Sequence, residues 1–130
     1  MSFEATLKDK IKRIFDLDKV SYDAISESQE QECTFIQIKE ARVRVQDAKE
    51  VGMIKGRLLF FSNSEKMPLD YFAKQIEKAN VDAKDLFFEP VEHIGTLRNI
   101  SERSINFTYL YDQQYDPNQG TLNELTLETN

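Results

Sequence analysis

The sequence predicts an α+β domain: a mainly antiparallel sheet of about four to five strands with a projecting β-hairpin, packed by two amphipathic helices. Three observations predict it. The runs from Cys33 to Ser62 and from Arg103 to Tyr115 alternate with period two, as half-buried strands do. Two other runs, one near each end of the first 80 residues, repeat their apolar positions every three to four residues. At 130 residues and 15.2 kDa the chain has material for one core and not for two, so residues 1 to 120 form a single domain.

The organising strand is Arg103 to Tyr115. Ile105, Phe107, Tyr109 and Tyr111 fall on one side, and Asn106, Thr108 and Leu110 on the other. Its β-branched and aromatic residues suit a strand paired on both sides, and Gln-Tyr-Asp-Pro-Asn-Gln-Gly closes it with turn chemistry. The first helix precedes it by far in sequence. Phe3, Leu7, Ile11, Ile14 and Phe15 make its apolar stripe, Ser2 is a candidate N-cap, and the helix ends near Asp16.

Residues 18 to 32 turn polar and read as a loop with a short strand at Lys19 to Tyr22. Cys33 to Ile38 and Glu40 to Val45 then alternate as one long strand, or as two around a bulge near Lys39 to Ala41. Gln46 to Glu50 reads as a turn, and Met53 to Ser62 as the next strand, half-exposed in its first part and apolar on both sides in its second. That asymmetry predicts a hairpin whose tip, around Arg42 to Arg57, projects beyond the core. Asn63 to Lys66 is a turn. Pro68 takes the first helical position of the second helix, where its missing N–H costs nothing. Leu69, Phe72, Ala73 and Ile76 carry the apolar stripe, and the helix ends about Ala79 with Asn80 near its C-cap. Leu86 to Glu89 and Val91 to Ile94 read as a strand interrupted by Pro90. Gly95 to Glu102 leads into the organising strand, and residues 121 to 130 are a polar tail with Leu122, Leu125 and Leu127.

The composition narrows function mainly by exclusion. A formal net charge of −6 opposes binding to a phosphate backbone. No apolar run reaches the length of a membrane span, and the amphipathic N-terminal segment lacks a signal-peptide core, so synthesis in the cytoplasm is expected. One cysteine, Cys33, makes no intrachain disulfide, and the sole histidine, His93, completes a Cys–His pair only if the fold brings the two together. The four glycines are scattered and form no phosphate-binding loop. Asp112, Asp116 and Asn118 lack the register of a calcium loop and serve the turn beside Pro117. Glu89 with Glu92, and Glu27, Glu30 and Glu32, read as solvated carboxylates. The expectation is a protein without catalytic, cofactor or metal residues.

The element order and the segments EQECTFIQI, MPLDYFAKQI and RSINFTYLYDQQYDP resemble the small tail-terminator and tail-completion proteins of long-tailed bacteriophages over residues 1 to 120. The resemblance implies a structural protein of the virion tail or neck. It would form a homo-oligomeric, hexameric ring that caps the tail-tube protein and joins it to the head-tail connector protein, with DNA only passing through the channel. Under that reading Lys39, Arg42, Arg44, Lys55 and Arg57 are candidates to pair with acidic groups of the next subunit, and Tyr109, Tyr111 and Tyr115 are further candidate interface residues. Another neck subunit, or a small non-enzymatic binding module or chaperone, uses the same features.

Overall fold

The computed structural model describes residues 3–22 and 32–114. Its elements are α1 (Phe3–Ile14), β1 (Ser21–Tyr22), β2 (Cys33–Gln46), β3 (Lys49–Asn63), α2 (Leu69–Asp82), β4 (Leu86–Phe88), β5 (Glu92–Leu97) and β6 (Ile100–Gln114). The fold is α+β, with two helices and one six-stranded mixed sheet ordered β1-β2-β3-β6-β4, β5 also pairing with β6. Among the described residues only the β1–β2 pair is parallel. The loop expected over 18 to 32, Tyr115 and the C-terminal tail fall wholly or largely outside the described residues.

The organising strand is paired on both sides. Along one edge β6 runs against β3 from Ile100 to Gln114, and along the other it meets β5 at Ile100 to Ser104 and β4 at Phe107 to Tyr109. The strand count exceeds the expected four to five because of one residue, and the approach to β6 also differs from expectation. Pro90 has no N–H to donate and separates β4 from β5. Gly95 to Glu102 is a tight hairpin and no lead-in, because Arg98 and Asn99 both take positive φ, 50° and 72°, as a two-residue primed turn requires. Asp47 and Ala48 do the same between β2 and β3, with φ of 52° and 61°.

Alternation then assigns the two faces. Ile36, Ile54, Leu58, Phe60, Ile105, Phe107, Tyr109 and Tyr111 are buried on one face with Leu86 and Phe88, under Leu7 and Ile11 of α1 and Phe72, Ile76 and Ala79 of α2. Four rings lock the layers: Phe15 lies 5.1 Å from Phe60, 6.2 Å from Phe72 and 5.6 Å from Phe88. Phe60 and Phe72 are 4.8 Å apart. Gly56 sits where Phe107 leans in, and a Cβ there would collide with the Gln37 carbonyl oxygen, so the close approach of β2 and β3 depends on it.

The helix ends are satisfied locally. Leu17 N–H donates to the Lys12 carbonyl at 2.8 Å around Asp16, which has φ 51°, the pattern of a left-handed C-terminal cap. The last carbonyls of α1 are further engaged by α2 side chains, Gln75 Nε2 donating to Ile14 O and the Tyr71 hydroxyl to Phe15 O, each at 2.7 Å. Two expectations for α2 are corrected. Pro68 is the extended N-cap and Leu69 the first helical residue; and the helix continues past Ala79 to Asp82. Asn80 does not cap it. Its carboxamide donates to Phe88 O at 2.9 Å and accepts from Phe88 N–H at 2.8 Å, mimicking a neighbouring strand for β4.

Candidate interaction face

The second face of the sheet carries most of the residues expected to meet a partner, and one irregularity in β2 puts them there. The register shifts between Ile38 and Glu40, so one residue of β2 has no counterpart on β3. Before the shift the odd-numbered residues Phe35 and Gln37 face away from the helices. After it the even-numbered Arg42 and Arg44 do, opposite Met53 and Val51. The bulge therefore gathers Lys39, Arg42 and Arg44 with Lys55 and Arg57 of β3 on one face. Without it Arg42 and Arg44 would point into the core side, where Val43 now packs.

The contacts of these cations are mostly at the surface. Arg57 Nε donates to Gln37 Oε1 at 2.6 Å, and Lys39 Nζ to Asn106 Oδ1 at 3.4 Å, both across strands. Arg42 and Glu40 form an exposed ion pair at 2.7 Å. Arg44 and Lys55 are exposed. Beside them lie exposed apolar side chains that sequence reading did not single out: Met53 and its cross-strand partner Leu110, 44% and 48% accessible, and Phe87 of β4, 56% accessible. Arg42, Arg44, Met53, Leu110 and Asp112 border a shallow depression at the outer end of the sheet. Nearer the other end Leu59 and Phe61 are buried on this same face, Phe35 packing edge-on against Phe61 at 6.2 Å. The signal that would have found the exposed patch was the register of β3 with β6, which single-strand alternation does not reveal.

The tyrosines part company with the cations. Tyr109 and Tyr111, each 2% accessible, belong to the helix-covered core on the opposite face, so neither meets a partner in this conformation. Their phenols are pushed upward chiefly by burial, Tyr109 to about 12 with help from Asp85, and Tyr111 further with help from Glu50. Tyr115 lies outside the described residues.

Cys33 and His93 do not meet. Cys33 stands opposite Phe61, which stands opposite Glu102, whereas His93 stands opposite Arg103, the next residue along β6 and hence on the other face. Burial raises the Cys33 thiol and makes it a poorer nucleophile at neutral pH. His93 Nδ1 instead accepts from Arg103 Nε at 3.1 Å. That arginine, 4% accessible, also donates from Nη1 to the Met67 carbonyl at 2.6 Å and lies 5.8 Å from the Phe72 ring centroid. The arrangement ties β5 and β6 to the segment that starts α2. Among the described residues no group of three or more His, Cys, Asp or Glu could hold a metal ion, and no helix is long and apolar enough to cross a membrane. The profiles of known protein families and the curated proteins contain no match to this chain.

Proposed function

We propose that the protein is a structural subunit that works by assembly and not by catalysis, resembling a phage tail terminator. Copies form a ring, of six by that resemblance, which caps the tail tube and joins it to the head-side connector. The observation that carries the assembly reading is the second sheet face. Five of the chain's 17 basic residues collect on it around exposed Met53, Leu110 and Phe87, in a chain whose other 12 basic residues are outnumbered by 23 acidic ones.

An apolar centre bordered by charge is the composition of a recognition surface. A basic cluster on a molecule of opposite net sign finds acidic partners on further copies of the chain. The outer end of β2 and β3, around Arg42 to Arg57 through the Asp47–Ala48 turn, is the projecting hairpin of this proposal, with β6 accompanying it as far as the pairing of Lys49 with Gln114. Its exposed residues reach the neighbour, while Ile54 and Gly56 anchor its base in the core. The overall acidity suits a channel through which DNA slides without being held.

Co-sedimentation with assembled tubes of the cognate tail-tube protein tests the reading. Retention of the chain at one ring per tube end, with further tube growth stopped, is the expected result. Tubes that bind none of it and elongate at an unchanged rate would remove the terminator assignment.

A further inference from the structure

The second face is not uniformly basic; its charge changes sign from one edge of the sheet to the other. At the β2 edge stand Arg42 and Arg44, with Glu40 on the same face in an ion pair with Arg42, so this stretch of the edge is basic by net charge. At the opposite edge the register places Glu92 across from Ser104, and Glu89 N–H donates to Asn106 O at 2.9 Å, so both glutamates follow Ser104 and Asn106 onto the second face. Both are exposed, and Phe87, opposite Thr108, stands on the same face beside them. Three strand spacings, or roughly 14 Å, separate the two edges, and the charges are also offset along the strands, Arg42 and Arg44 lying level with Leu110 and Asp112 of β6 and the glutamates with Asn106 and Ser104.

From this polarity we infer that copies of the chain associate head to tail, the β2 edge of one copy against the β4–β5 edge of the next. Arg42 and Arg44 meet Glu89 and Glu92, and Phe87 packs toward the Met53–Leu110 pair. The inference rests on the assembly reading above and specifies its geometry. A two-fold contact made through either edge alone brings together surfaces of like net charge, which is costly at close range. A head-to-tail contact joins unlike charges and leaves each copy with one basic and one acidic edge to offer. Such an interface repeats, and closes into a ring when the rotation per copy permits. The aromatic ring of Phe87, flanked by carboxylates, supplies the anchor that charge pairs alone do not provide.

Charge exchange separates this inference from the reading beneath it. R42E/R44E makes both edges acidic, and E89K/E92K makes both basic. Each variant, shown by circular dichroism to melt like the wild type, is expected to self-associate at least about tenfold more weakly in sedimentation velocity. An equimolar mixture of the two restores particles of wild-type size, because each then presents what the other lacks. Wild-type assembly by either variant alone, or a mixture that stays dissociated, overturns the edge pairing and leaves the ring reading standing. A wild-type chain that is monomeric both alone and with tail tubes overturns both.

Discussion

At the scale of single residues the core is held by aromatic rings whose surroundings exclude water, and that has a titratable consequence. Phe15 touches rings from β3, α2 and β4 at once, and its burial is worth about 2–3 kcal/mol. Tyr22, Tyr109 and Tyr111 share that dry environment, and Tyr71 part of it; all four phenols are pushed above their ordinary value mainly by desolvation. A phenol whose folded pKa is raised stabilises the fold below the unfolded value, near 10, and that contribution is lost as pH climbs through the folded value, about 12 for Tyr109. Alkaline titration followed by tyrosinate absorbance is therefore expected to show most of the five tyrosines ionising only above pH 10, together with loss of far-ultraviolet circular dichroism. Reversible ionisation of all five near pH 10 with the fold intact would contradict this packing. Burial at Tyr109 and Tyr111 was legible in the alternation of β6; that it removes them from any contact surface needed the helices in place.

At the scale of elements, two substitutions probe how strands are set. Asn80 holds β4 through both polar groups of Phe88, itself buried, so Asn80→Ala strands a donor and an acceptor and is expected to cost about 2 kcal/mol in urea unfolding. A loss below roughly 0.5 kcal/mol would show that those bonds contribute little. Ala48 is forced to φ 61° in the β2–β3 turn, a conformation costing an L-residue about 1–2 kcal/mol. Part of any gain from glycine is offset by the freedom it adds to the unfolded chain, so Ala48→Gly should stabilise by about 0.5–1 kcal/mol. Elements with strong periodicity were readable in advance: both helices, the long β2 and β3, and β6 with its inward residues. The β5–β6 hairpin was not, because Arg98–Asn99 carries no glycine to announce a primed turn. Asn80 was misread for a related reason. An asparagine near a helix end is ordinarily a cap, and only the tertiary position of Phe88 gives it another role.

At the scale of the whole molecule, the two sheet faces divide the work. One face makes the protein, burying the stripes of α1 and α2; the other buries Leu59 and Phe61 toward one end and presents cations, glutamates and exposed apolar side chains to solvent over the rest. The cations were identifiable from sequence as residues of a half-exposed hairpin, and a bulge near Lys39 to Ala41 was one of two readings of β2; the register shift between Ile38 and Glu40 decides for the bulge and sets their common face. Glu89 and Glu92 read as solvated carboxylates until the pairing with β6 placed them on that face. Contacts between exposed charges weaken as salt shortens their range, so assembly through this face should fall off with ionic strength. Sedimentation velocity on the wild-type chain at micromolar concentration, alone and with tail tubes, in low and in high salt, tests the assembly claim most directly. A particle of six 15.2 kDa copies that dissociates as salt rises is the predicted result, and a 15.2 kDa monomer under every one of those conditions would contradict it.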